Sequence, residues 1–367
     1  MYFDLTDEQQ AIKSTAHDFL KARFKSERVR EIAASESGFD EAGWKEMAEL
    51  GWAGLALPEE WGGQGLGAVE LAILFEEMGY ALAPSPMLSN TIAGLALAAG
   101  GSDEQKERWL RPLAEGSLRG TPALIDADGS AEPMQFSMRA GDVLTGTKTL
   151  VLDAGSADFF LVATADGGRH LVEKGAGGVT VTAEESIDPT RRLFSVRFDG
   201  VRPESTLSGS GEDYHPVFHR ACVALAAEST GLAQRALEMS VEYAKDRQQF
   251  GRPIGAYQAV SHRLTNMLWE VEEARSLLYY AAWAADAEPE SLPLAASMAK
   301  ARASDAANAV THDAIQTFGG IGFTWEHDVH FFLKRARVSS QLLGTPRHHR
   351  ERVAELVGLG EPAAAPA

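Results

Sequence analysis

Three long helical runs dominate the second half of this chain and restrict it to folds built from antiparallel helices. Apolar residues recur at helical spacing over 219–245, 256–285 and 292–318. Each run is far longer than the mean globular helix of about 11–12 residues. Two shorter runs, 329–340 and 347–356, follow after brief connections. Long helices joined by short turns predict a C-terminal four-helix bundle over 210–358.

The first 120 residues are also helical in pattern, but the pieces are shorter. Thr6-Asp7-Glu8-Gln9 reads as a capping box, with Ile12, Ala16, Phe19 and Leu20 at helical spacing behind it. Further helices are expected at 39–50, 68–80 and 90–99, with a short one over 103–109 capped by Asp103. The pattern changes at Gly120. Short β-type runs at 136–139, 143–147, 159–163, 179–182 and 193–198, punctuated by Gly and Asp, predict a small antiparallel β-barrel or sandwich over 121–209, of which the barrel is the expected form. The expected class is therefore α+β: N-terminal helices at 1–120, a central barrel, the bundle, and a disordered tail at 359–367.

Composition narrows the functional classes. A net charge of −18 over 367 residues argues against nucleic acid or an anionic membrane as partner. The longest apolar run, near 91–100, falls well short of the roughly 20 residues that span a bilayer. A single cysteine, Cys222, forbids an internal disulfide, and the acidic start MYFDLTDEQQ does not have a signal-peptide pattern, so a cytoplasmic location is expected. No metal site is assigned.

Two loops carry the chemistry. AIQTFGGIGFTWEHD, 314–328, places three glycines within Gly319-Gly320-Ile321-Gly322, just after Gln316. Glycines let a ligand approach the backbone, and bare amides beside a glutamine suit phosphate or carboxylate oxygens. RQQFGRPIGAYQAV, 247–260, places a cation, an aromatic and a Gly-Pro turn between two helices. With LGWAGLALPEEWGGQGLG at 50–67, these strings resemble the acyl-CoA dehydrogenase family over most of the chain, from Leu5 to about Leu356.

The resemblance implies a flavoprotein that uses FAD to remove hydrogens from the α and β carbons of an acyl-CoA substrate, with an electron-transfer flavoprotein as acceptor. It implies that Arg247, Phe250 and Gln258, with Gln316, Gly319 and Gly320, grip the pyrophosphate and adenine of a neighbouring subunit's FAD; Thr345 is assigned to cofactor binding as well. Their chemistry suits the role: a guanidinium fork for a diphosphate, a flat ring for adenine, neutral donors from glutamine and glycine amides.

The departures from the family pattern are as informative. The Thr-Glu-Pro and Gly-Ser-Asp signature of the first β-loop is not recognisable in Ala123–Ser130, ALIDADGS. After Lys148, the expected Trp-Ile-Thr-Asn string is Leu150-Val151-Leu152-Asp153, and leucine cannot hydrogen-bond a flavin ring. Leu343 stands where the resemblance places the catalytic glutamate, and the alternative base position falls near Ala221 and Cys222. Glu228, about two turns along the same helix, is the fallback base. Residues that serve a neighbour's flavin are kept, whereas those that serve the chain's own flavin and the base are lost. The expectation is a non-catalytic partner of a catalytic acyl-CoA dehydrogenase subunit in an α2β2 tetramer. The alternatives are a homotetrameric dehydrogenase with a displaced base, a flavin-free scaffold, and a flavin monooxygenase that would show oxygen-dependent turnover.

Overall fold

The computed structural model describes residues 4–35, 37–127 and 133–359. It divides into two compact units, one of residues 1–71 and 82–221, the other of 72–81 and 222–367. The expected tail at 359–367 lies outside the described residues except for Leu359, and so do Asp128, Gly129 and Ser130 of the first β-loop.

The first unit opens with α1 (Asp7–Arg23), α2 (Ser26–Ala34) and α3 (Glu41–Glu49). The Thr6 capping box forms as expected, its hydroxyl accepting from the Gln9 amide at 3.2 Å while the Gln9 side chain accepts from the Thr6 amide at 3.0 Å. After α4 (Ala68–Tyr80) come α5 (Met87–Gly100), α6 (Asp103–Gln105), a π-helical turn at Lys106–Leu110 and α7 (Arg111–Ala114). Asp103 does not cap its helix. Ser102 does, in a capping box with Gln105, because the cap must sit outside the first helical turn to reach its free amides.

Eight strands follow: β1 (Gly120–Ala123), β2 (Ile125–Asp126), β3 (Leu144–Leu152), β4 (Phe159–Ala163), β5 (Arg169–Glu173), β6 (Val179–Ala183), β7 (Leu193–Val201) and β8 (Ser205–Thr206). They do not close into a barrel. They form two four-stranded sheets, ordered β1-β4-β5-β8 and β2-β3-β7-β6, and β1 pairs parallel with β4. Phe160, Val162 and Val172 of the first sheet share one buried apolar cluster with Val151, Val196 and Phe198 of the second. On the other face of β4, the Phe159 ring meets Trp109 at 5.0 Å between centroids. The first sheet is thus covered on both faces, which lets it carry a parallel pair and removes the alternation that would have marked it as half-exposed. The run 136–139 is no strand: the Ser137 amide donates to the Asp126 carboxylate at 2.8 Å, and Phe136 lies under the cations of Lys148 and Arg169.

The second unit is organised on α10. The helix α8 (His215–Asp246) runs into the hairpin β9 (Gln248–Gln249) and β10 (Arg252–Pro253). Then come α9 (Gln258–Ala287), α10 (Leu292–Phe318), a 3-10 turn at Gly319–Phe323, α11 (Val329–Ser339) and α12 (Pro346–Leu356). Helix α10 packs on α9, α11 and α12, and its alanine-rich face (Ala295, Ala299, Ala303, Ala306, Ala307) is fully buried.

Residues of α4 and α8 in this unit cross at backbone contact. A Cβ added at Gly231 would lie 1.8 Å from the Glu76 carbonyl oxygen, and one at Gly79 would lie 1.9 Å from that of Glu228. Neither obstacle is a movable side chain, so the helices themselves would have to separate. Gly231→Ala should therefore cost about 1–3 kcal/mol or more in urea unfolding of the chain, although alanine is the better helix former.

Candidate functional site

The two motif loops meet at one end of the second unit. Helix α8 ends in a hairpin whose two-residue tip, Phe250-Gly251, has φ of +51° and +79°, the left-handed pair that tight hairpin turns require. The tip holds the Phe250 ring out, 92% exposed. Arg247, at the base of the hairpin, is exposed, and among the described residues no ion pair joins it to Asp246 or Glu242. One turn earlier on α8, the Tyr243 ring packs on Phe318, the last residue of α10, at 4.5 Å between centroids. Arg263 of α9 reaches Asp313 of α10 at 3.7 Å. These contacts gather Arg247, Phe250, Gln258, Gln316, Gly319 and Gly320 at the same end, and all six are exposed.

The glycines of this loop differ in what demands them. Gly319 has φ +65° and so needs glycine for its backbone. Gly322 is constrained by packing, since a Cβ there would sit 3.1 Å from the Ile315 carbonyl oxygen. A Cβ at Gly320 would meet nothing within 4 Å, and its φ is not positive. Nothing in its own chain requires Gly320 to be glycine. An open backbone of this kind beside an exposed arginine fits the close approach of an external diphosphate.

Thr345 and Leu343 lie elsewhere. The Thr345 hydroxyl caps α12 by accepting from the His348 amide at 3.2 Å. The turn before it touches α10 at Lys300, whose ammonium donates to the Gly344 carbonyl at 3.2 Å. Lys300 and Gln316 are separated by about 24 Å of helix at 1.5 Å per residue, so Thr345 does not join the cluster at the far end of α10.

No base stands at position 343. Leu343 is half-buried with φ +55°, and its carbonyl accepts from His349 Nε2 at 2.8 Å and from Cys222 Sγ at 3.8 Å. The two alternative base positions, 222 and 343, are therefore neighbours. Burial pushes the Cys222 thiol up to about 12, so it stays protonated and unreactive. Glu228 is only 4% exposed and pairs with Arg335 of α11, itself 2% exposed, at 2.9 Å. To take a proton from a ligand, Glu228 would have to leave a buried guanidinium.

In the first unit, Lys148 is fully buried and pairs with Asp126 at 2.8 Å, while also donating to the Leu124 carbonyl at 2.9 Å. Leu150, at φ +52°, is exposed and Leu152 is buried. The Leu152 carbonyl is already engaged, accepting from the Thr121 hydroxyl at 2.7 Å. At these positions the side chains are apolar and one of the backbone groups is taken. Leu150 and Leu152 thus offer a flavin ring no side-chain donor, whereas the exposed arginine, the Phe250 ring and the open glycine backbone fit the diphosphate and adenine part of an FAD.

Comparison with known proteins identifies the family. Residues 6–117 match the acyl-CoA dehydrogenase N-terminal domain, and residues 216–358 match the acyl-CoA dehydrogenase C-terminal domain. The acyl-CoA dehydrogenase IpdE2 of Mycobacterium tuberculosis is 34% identical over 342 residues, 93% of this chain and 94% of that protein. The chain belongs to the acyl-CoA dehydrogenase family. Among solved structures, this dehydrogenase-family chain resembles a variant of the Tcur3481–Tcur3483 steroid ACAD, with TM-score 0.86 and 32% identity over 96% of this chain and 98% of that one. It is also similar to the ChsE4–ChsE5 complex from Mycobacterium tuberculosis, with TM-score 0.89 and 29% identity over the full length of both. It is an oxidoreductase of this family with an α+β fold of helices flanking two sheets, and no helix among the described residues is long and apolar enough to cross a membrane.

Lys148 and Lys300 lie in no sequence motif that marks them as site components. The signal for Lys300 was a lysine on the buried alanine face of α10, between Ala296 and Ala303, where an unpaired charge is costly.

Proposed function

We propose that this acyl-CoA dehydrogenase-family chain is the non-catalytic partner of a flavin-bearing catalytic subunit, and that it supplies the grip on that subunit's FAD tail. The observation that carries the reading is the pairing of an open, exposed grip around Gly320 with a base position occupied by leucine. When bound, FAD accepts the hydride lost from the β-carbon of the acyl-CoA. Arg247 would hold the diphosphate, Phe250 would cover adenine, and Gln258, Gln316 and the amides of Gly319 and Gly320 would satisfy the remaining oxygens. The similarity to a structure described as a steroid ACAD and to one described as a complex of two named chains supports a heteromeric, steroid-type substrate context; the reading takes α2β2 as the assembly and an electron-transfer flavoprotein as acceptor.

The surface of the second unit supports association. Phe250, Phe323, Trp325 and Trp269 are 92%, 75%, 65% and 64% exposed, a concentration of bare aromatics unusual for a free monomer. Beside the hairpin, Leu237, Val241, Pro253, Leu264 and Leu268 line an apolar hollow of about 730 Å³. The catalytic subunit is the occupant this reading assigns to it.

The test is flavin content. Expressed alone, the chain should carry little FAD. Coexpressed with a family member bearing the glutamate, it should give a complex with one FAD per heterodimer. Arg247→Ala should then lower FAD retention of that complex by about tenfold or more, as expected for losing a charge-assisted contact. A yellow isolated chain with near-stoichiometric flavin after gel filtration would sink the reading.

A further inference from the structure

We propose that Lys300 is a positioning residue that fixes the 339–345 turn, and with it the place of residue 343, by clamping α10 to two carbonyls of that turn. The inference concerns the second unit alone and is independent of the partner-subunit reading. Lys300 Nζ lies 3.0 Å from Ser304 Oγ on its own helix, 3.4 Å from the Ser339 carbonyl at the end of α11, and 3.2 Å from the Gly344 carbonyl. Three acceptors match the three donors of an ammonium. The side chain is fully buried, so water does not compete for these bonds.

The turn needs such a clamp. Leu343 and Gly344 are both left-handed, at φ +55° and +97°. Glycine tolerates this conformation, but a leucine holds it only where its surroundings over-determine it. His349 of α12 and Cys222 of α8 hold the Leu343 carbonyl, and Lys300 holds those of Ser339 and Gly344. Three helices thus converge on one turn, and Lys300 bonds it at two carbonyls.

Other ionisable groups surround it. They are Cys222 on α8 and Asp305 on α10. Glu228 is paired with Arg335 and Asp305 with Arg350. Burial pulls Lys300 down to about 8, while the Cys222 thiol, pushed up to about 12, stays protonated over the same range.

The sign of the pH effect follows. If the turn opens, Lys300 returns to water and titrates as an ordinary lysine, near about 10.4. The closed turn binds its proton less tightly, so raising the pH from about 8 towards 10 favours the closed form.

Hydrogen exchange of the full-length chain, corrected for intrinsic amide rates, reads this directly. In the wild type, opening of the 339–345 turn should fall by about tenfold or more between pH 7.5 and 9.5, relative to amides in the middle of α9. In Lys300→Met, that pH dependence should vanish, and the turn should exchange about tenfold or more faster than wild type at pH 7.5. A lysine whose burial did not depend on the closed turn would give these amides no pH dependence. A wild-type turn whose corrected exchange is flat across this range overturns the proposal, as does a Lys300→Met turn that exchanges like wild type. If the variant fails to fold, the wild-type pH series alone decides.

Discussion

The isolated chain should leave acyl-CoA substrates unoxidised, and turnover should appear only when a glutamate-bearing subunit is present. Removal of the α-proton needs an acceptor at the substrate, and a positioned general base typically contributes about 10²–10⁴-fold, or about 3–5.5 kcal/mol of barrier. Leu343 has no acceptor atom, the neighbouring thiol of Cys222 is held protonated by burial, and Glu228 is committed to Arg335. Steady-state assays with an artificial electron acceptor should therefore place the isolated chain at least about 10²-fold below the coexpressed complex. Leu343→Ala should leave turnover of that complex nearly unchanged. An ordinary dehydrogenase rate from the isolated wild-type chain would contradict the partner reading and favour a displaced base.

Glu228→Ala should be among the most destabilising single changes in the second unit. It strands the Arg335 guanidinium, 2% exposed, without its carboxylate. Breaking one side of a buried ion pair costs about 3–5 kcal/mol, which for a chain of this size lowers the melting temperature by about 4–6 °C. Glu228→Gln keeps an acceptor for Arg335 and should cost less. Calorimetry separates this from a catalytic role. If Glu228→Ala melts like wild type but abolishes turnover of the complex, Glu228 is the missing base and the ion pair is incidental.

What could be read in the sequence was mostly what is local. The bounds of α10 were visible because Pro293 sits in its first turn and Gly319 terminates it. The Thr6 box was visible because all its partners lie within four residues. Pairing between distant residues was not. The parallel match of β1 with β4 and the split into two sheets depend on chain separated by a long loop, and β4 shows no alternation because both its faces are covered. Residues 136–139 look like a strand by composition, yet the Asp126 carboxylate takes a backbone donor that a neighbouring strand would need.

The site divides the same way. Resemblance named the gripping residues, but it is the Tyr243–Phe318 and Arg263–Asp313 contacts that put their two loops at one end. Glu228 looked available as a base because its partner, Arg335, lies 107 residues further along the chain. Thr345 looked like a ligand contact, whereas its hydroxyl is occupied as a helix cap.

The crossing of α4 with α8 has a consequence for biosynthesis. Residues 72–81 belong to the second unit, although the chain on both sides of them belongs to the first. Every residue from 71 to 79 is buried in the finished fold, Glu76 and Glu77 included. Tyr80 must find Glu238, 158 residues later, and Glu76 must find Arg275, 199 residues later. At elongation rates of about 5–20 residues per second, the apolar face of α4 leaves the ribosome roughly 8–30 s before its first partner helix is complete. During that interval it lacks the α8 and α9 partners that meet Tyr80 and Glu76 in the finished fold. Chaperone dependence should therefore concentrate in α4, and slowing translation between residues 80 and 240 should lower the soluble yield more than slowing it anywhere downstream.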